Sequence, residues 1–224
     1  MLILFDIDGT MISSEGVGVR SIVEAAEQLL GQTCSLDGIS VGGRLDPLIW
    51  NDVCEKYGKE NSTQLHDEFQ RLYTDILRKN IESITVKVLP GIRRLLDACV
   101  AMDNVTMGVV TGNYEETGTI KLRAAGINPA MFVANAWGTD GAVRDDLPPV
   151  AIGQHQKEVP VILIGDTVHD VTSGKSAGCR VIAVCTGSDD HATLAQSKPD
   201  LLLDDLEDTK AILHWIFNTQ IQLP

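Results

Sequence analysis

The apolar run Met1-Leu2-Ile3-Leu4-Phe5 ends in two carboxylates two residues apart, Asp6-Ile7-Asp8, followed by Gly9-Thr10. The run reads as a short, fully buried strand that turns polar where it leaves the sheet. In an open α/β sheet, ligands bind beyond the carboxyl ends of the strands, which places Asp6 and Asp8 at the rim of a crevice. Gly9 permits a sharp turn there, because without a Cβ it adopts φ > 0. Two like charges this close are costly unless a cation neutralises them or one carboxyl keeps its proton. The pair therefore reads as a site for a cation or a shared proton.

Two further strand ends carry residues suited to the same crevice. Thr111-Gly112-Asn113 follows Val109-Val110, and Gly165-Asp166-Thr167-Val168-His169-Asp170 follows Ile162-Leu163-Ile164. Strands are expected at 105–110, 131–134, 161–164 and 181–184, with an edge strand at 201–203. Helices are expected at about 115–125 and 206–217, and the alternation predicts a parallel sheet covered on both faces. Between residues 15 and 83 the pattern is helical only. Val19, Ile22, Val23, Ala26, Leu29 and Leu30 recur at near-helical spacing over 18–30, with Gly31 placed to end that helix. Further helices are expected at 46–57 and 62–79. The fold class is thus α/β: a Rossmann-like parallel-sheet core, 1–14 and 84–224, with an inserted all-helical domain at 15–83.

The 224 residues suit one α/β domain with an insertion, and a hydrophobic fraction of 44% supports a packed core. A net charge of −13 disfavours nucleic acid, whose binding needs clustered Lys and Arg. No apolar run approaches the ~20 residues that span a bilayer. The first apolar stretch lacks a basic lead-in, so no signal peptide is read and a cytoplasmic location is expected. The five cysteines lack paired spacing and are expected to be reduced thiols.

The strand-borne D-x-D-G-T at 6–10, T-G-N at 111–113 and G-D-x-x-x-D at 165–170, in that order, resemble the haloacid dehalogenase-like (HAD) hydrolase superfamily. The helical insertion matches a cap domain of that family, in position and type. The resemblance implies a phosphatase acting on a small phosphorylated metabolite. Asp6 would attack phosphorus to form an aspartyl-phosphate, and Asp8 would protonate the leaving alcohol and then activate water. Mg²⁺ would be held by Asp6, the backbone carbonyl of Asp8, and Asp166, with Asp170 in support, since a hard cation prefers oxygen ligands. Thr111 would offer a hydroxyl, and Gly112 or Asn113 a backbone N–H, to the phosphoryl oxygens.

The family commonly places a Lys ahead of the helix that leads to the acidic strand. Here Val143-Arg144-Asp145 stands there, so Arg144 is the candidate cation. A guanidinium can bridge nucleophile and phosphate bidentately. Lys121 is expected on the solvated face of its helix, and Lys175 lies past the acidic loop. His169 reads as a loop histidine, because Mg²⁺ prefers oxygen. Trp50, Trp137 and Trp215 read as packing residues.

In the insertion, Gly42-Gly43-Arg44 resembles the cap loop of phosphoglycolate-phosphatase-like members. Arg44 would then hold the substrate's far end; the other reading is a plain interhelical turn with Asp46 as N-cap. A phosphomutase of the same superfamily uses the same two aspartates, and a silent binding protein on this fold would have lacked one of them.

Overall fold

The computed structural model describes residues 1–155 and 158–218. Its centre is a five-stranded parallel sheet in the order β4-β1-β5-β6-β7, made of β1 (Leu2–Phe5), β4 (Thr106–Val109), β5 (Val161–Gly165), β6 (Arg180–Val184) and β7 (Leu201–Leu203). β1 lies between β4 and β5, with Leu2 opposite Thr106 on one side and Val161 on the other. Its apolar run is unbroken because both faces are covered. Ile3 and Phe5 enter one hydrophobic cluster with Ile162 and Ile164, while Leu2 and Leu4 enter another with Leu163 and Val181.

The chain leaves the sheet through β2 (Ile12–Ser13) and returns through β3 (Lys87–Val88), which pair antiparallel. Between them lie α1 (Val17–Leu30), α2 (Asp46–Lys56) and α3 (Thr63–Ile81), the expected helical cap, and no strand is found there among the described residues. α1 ends at Gly31, whose φ of 66° and N–H to Glu27 O close the last turn. Ser62 caps α3 by accepting from Leu65 N. Trp50 stacks on Phe69 at 4.0 Å, and both join the cluster beneath the sheet, so cap and core share apolar packing.

Three sequence readings need correction. Residues 131–134 form no strand: Pro129–Met131 is a 3₁₀ turn, and the chain then runs beside β4 through isolated contacts. There Asn135 Oδ1 accepts from Val109 N at 3.0 Å, which replaces a ladder bond with a side-chain one. The last helix, α9 (Thr209–Asn218), starts later than expected, at a turn where Asp208 accepts from Ala211 N. Finally, α4 (Ile92–Val100) and α8 (His191–Gln196), together with the short β2 and β3, went unread in the sequence. α5 (Glu115–Ala124), α6 (Leu147–Gln154) and α7 (Val168–Ser176) complete the layers around the sheet.

Candidate active site

The parallel strands bring their carboxyl ends together, and the acids meet there. Asp6 extends β1 by donating its backbone N–H to Ile164 O, 3.0 Å away. Gly9 then turns at φ 81°, and a Cβ on it would lie 2.5 Å from Asp166 Oδ2, so only glycine fits that corner. Asp166, at the end of β5, accepts from Thr10 Oγ1 at 2.9 Å and from Ser188 N at 3.0 Å. Asp170 sits in the first turn of α7, where its Oδ2 accepts from Thr167 N and Oγ1 in a capping box.

Asp6, Asp166 and Asp170 are all buried, with one oxygen of each within 4.8 Å of the others. Arg144, in a 3₁₀ turn just before α6, is buried among them. Its Nη2 donates to Asp6 Oδ1 at 3.1 Å, to Val110 O at 3.2 Å, and to Asp170 Oδ1. One guanidinium therefore bonds two of the three clustered carboxylates. Burial pushes Asp6 up to about 7 despite the pull of Arg144, with Asp170 and Asp8 pushing further. Burial, then Asp6 and Asp170, hold Asp166 well above the ordinary carboxylate range. The surplus negative charge and all-oxygen donor set fit a hard divalent cation such as Mg²⁺. Of the residues expected to hold the metal, the structure brings the carboxylates of Asp6, Asp166 and Asp170 together, with Asp170 already bonded through both oxygens.

The Asp8 carboxylate lies outside that cluster. It takes hydrogen bonds from Ser14 Oγ at 3.3 Å, Asn113 Nδ2 at 2.9 Å and Lys121 Nζ at 2.6 Å. Burial alone would raise its pKa, but the Lys121 ammonium and these bonds outweigh it and keep Asp8 ionised below the usual range.

Lys121 is the residue sequence reasoning misplaced. It is 5% exposed, with Nζ also 2.6 Å from Asn113 Oδ1, and not on a solvated face. Burial works against its charge, but Asp8 and Asp46 more than compensate and raise its pKa. A signal was available: Asn113, just ahead of α5, and Thr117 and Lys121 on it recur every four residues. Lys175, by contrast, is exposed on α7.

Thr111 is buried at the end of the β4 segment, and its Oγ1 accepts from Asn113 Nδ2 at 2.8 Å. Asn113 thus enters the site by its side chain as well as its backbone. Gly112 faces the cap: a Cβ there would lie 1.9 Å from Arg44 O, and its carbonyl accepts from Asp46 N at 2.7 Å. Arg44 lines the cavity, and its Nη2 is paired with Asp52 Oδ2 at 2.7 Å. Asp46 is the first residue of α2 and makes no N-cap bond there. Its carboxylate crosses to the core, where Oδ2 accepts from Tyr114 N at 3.2 Å and Thr117 Oγ1 at 3.5 Å. Burial raises Asp46 to about 6, against the pull of Lys121. Trp50 and Trp137 are packed in the interior; His169, read from the sequence as a loop histidine, is instead exposed in the first turn of α7, which the capping box of Thr167 and Asp170 starts.

These residues enclose a cavity of about 390 Å³ between core and cap, with Asp6, Asp166 and Arg144 on one side and Asp8, Lys121 and Tyr73 on another. A buried carboxylate cluster, a fixed guanidinium and a closing cap define a hydrolase site of the HAD kind. The sequence model of the family Haloacid dehalogenase-like hydrolase matches residues 3–184. The chain belongs to that family.

Among curated relatives, the pyrophosphatase PpaX of Bacillus pumilus is 24% identical, over 94% of this chain and 95% of that protein. A phosphoglycolate phosphatase of Vibrio vulnificus is also 24% identical, over 92% of each. Among solved structures, a hydrolase from Pseudomonas syringae superimposes with a TM-score of 0.74 at 18% identity, covering 96% of this chain and 98% of that one. CbbY from Rhodobacter sphaeroides, in complex with phosphate, gives 0.73 at 19% identity, over 92% and 95%. The structural likenesses establish the fold.

Proposed function

We propose that the chain is a Mg²⁺-dependent phosphomonoesterase that works through an aspartyl-phosphate on Asp6. The observation that carries this reading is Asp6 itself, buried at the strand end and held at 3.1 Å by a guanidinium that also bonds Asp170. Asp6 and Asp166, the Asp8 carbonyl and Asp170 in support would hold Mg²⁺, whose charge offsets the phosphoryl oxygens when it is bound. Arg144 Nε is buried without a partner, a donor that a phosphoryl oxygen would satisfy. The Thr111 hydroxyl, which accepts from Asn113, keeps its proton for a second phosphoryl oxygen. The backbone N–H of Gly112 would add to these donors, that of Asn113 being turned to Thr111 Oγ1 at 3.5 Å.

In the first half-reaction Asp6 attacks phosphorus, and the bond to the leaving oxygen breaks as Asp8 gives that oxygen a proton. In the second, water attacks the aspartyl-phosphate, Asp8 takes the water's proton, and inorganic phosphate leaves. An Asp8 held ionised by Lys121 suits the second half-reaction; the proton for the first has to arrive with a substrate monoanion. The helical cap, 15–83, would exclude bulk water. Relatives named pyrophosphatase and phosphoglycolate phosphatase support a small phosphorylated metabolite as substrate.

The test is hydrolysis of p-nitrophenyl phosphate with and without Mg²⁺, and by Asp6→Asn. Turnover should require the metal and nearly vanish in the variant, while the circular dichroism spectrum stays unchanged. Full activity in excess EDTA, or in Asp6→Asn, overturns the reading.

A further inference from the structure

Beyond the reacting acids the cavity runs toward the cap, and polar groups there have capacity to spare. They meet in front of Gly18 on α1. A Cβ at Gly18 would crowd Lys121 Nζ at 3.1 Å and Tyr73 Oη at 3.4 Å, so the absence of a side chain there keeps this end of the cavity open to both groups. Lys121 commits two of its three N–H groups, to Asp8 and Asn113. Tyr73, on α3, is fully buried, lines the cavity, and its hydroxyl has no hydrogen-bond partner. Thr117 lies close enough to exert a lesser pull on the phenol, but not in hydrogen-bonding geometry. Asp46 lines the same cavity, and the hydrogen bonds its carboxylate accepts both fall on Oδ2. Leaving a buried phenol unpaired is costly, so this space is suited to a ligand that supplies the missing acceptor.

Charge decides what that ligand is. Lys121 brings one positive charge against the two carboxylates of Asp8 and Asp46. The other cation near the cap loop, Arg44, has its charge answered by Asp52 through Nη2 and keeps a buried Nε without a partner. An incoming carboxylate would meet this surplus negative charge without a free cation. A hydroxyl meets no such penalty, because it accepts from Tyr73 or Lys121 and donates to Asp46. The space also adjoins Asp8, the proposed proton donor to the leaving oxygen, so it lies on the leaving-group side. We propose that Tyr73, Lys121 and Asp46 form a leaving-group subsite for a neutral hydroxyl, so that the substrate is the phosphate ester of a polyol-type alcohol rather than of a hydroxy acid. This assignment rests on the phosphatase reading and narrows its substrate class.

Three esters of matched length separate the possibilities: ethyl phosphate, 2-hydroxyethyl phosphate and phosphoglycolate, each assayed with Mg²⁺. The hydroxyethyl ester should show a kcat/KM about tenfold above the ethyl ester, the scale of one buried hydrogen bond to a charged or strongly polar group. Phosphoglycolate should do no better than ethyl phosphate. Tyr73→Phe, which removes only the hydroxyl, should erase most of that tenfold preference, chiefly through KM. Gly18→Ala fills the space without removing any polar group and should do the same; thermal melts check that it folds, and if it does not, Tyr73→Phe decides alone. Preference for phosphoglycolate, or a hydroxyl preference unmoved by Tyr73→Phe, overturns the subsite. Hydrolysis of all three esters with no preference overturns the subsite alone. Hydrolysis of none, or full activity in Asp6→Asn, overturns the phosphatase reading and the subsite with it.

Discussion

Arg144→Ala removes the guanidinium that touches both Asp6 and Asp170, and the structure gives the size of the loss. The Arg144 side chain is 6% exposed, Asp6 9% and Asp170 0%, so truncation leaves two desolvated carboxylates without their shared partner. Breaking a buried pair from one side costs about 3–5 kcal/mol. In a chain of this size that corresponds to a fall in Tm of roughly 6–20 °C.

The pH dependence fixes the sign. The folded-state pKa of Asp6 is raised from its ordinary 3.8 to about 7, so the cost of its charge is absent below 3.8 and complete above about 7. Without Arg144 that pKa rises further. The Tm difference between wild type and Arg144→Ala should therefore be largest at pH 8 and shrink by pH 5, where Asp6 takes up its proton. Differential scanning calorimetry of the metal-free proteins at both pH values measures this. Phosphatase activity should fall about 10²–10³-fold, the usual loss for a preorganised charge stabiliser. A Tm difference equal at pH 5 and pH 8, or larger at pH 5, would refute the reasoning, since the missing cation would then not be compensating ionised carboxylates.

Two further outcomes follow from the other side of the cavity. Asp8→Ala should slow alkyl phosphates by at least ~10²-fold and p-nitrophenyl phosphate by much less, because that leaving group departs without a proton; equal losses in steady-state kinetics would remove the acid role. Arg44→Ala should cost no more than about 1 kcal/mol of stability, because its pair with Asp52 is part-exposed. Its kcat/KM should change by less than about threefold, as that charge is spent on Asp52, and a selective loss of the order of tenfold on phosphoglycolate would return Arg44 to substrate recognition.

The sheet and its acids were readable because each depended on a pattern a single chain carries. A continuous apolar strand ending in Asp6-Ile7-Asp8 needs two covered faces, and the structure supplies both. Arg144 was singled out by the family resemblance, which puts a basic residue ahead of this helix, and the structure places it against Asp6 and Asp170. Residues 131–134 misled because β propensity says nothing of the Asn135 side chain that takes the place of a ladder carbonyl.

Lys121 shows where reading by residue type fails. A lysine on a helix is by default solvated, and the four-residue spacing of Asn113, Thr117 and Lys121 does not say which way α5 faces; the fold turns Lys121 toward Asp8 and Asn113. Once placed, it changes the chemistry expected of the whole cavity. With Arg144 alone, all fixed positive charge would stand on the phosphoryl side, and recognition of the leaving group would fall to Arg44. With Lys121 buried against Asp8, each of the first two aspartates has its own cation. Arg144 attends Asp6, where burial keeps the carboxyl's pKa near 7; Lys121 attends Asp8, which it holds ionised. Two carboxylates two residues apart are thereby given different protonation behaviour by different partners: Asp6 would need a bound cation's charge to stand ionised as a nucleophile, and Asp8 would need a proton brought by the substrate before acting as the acid.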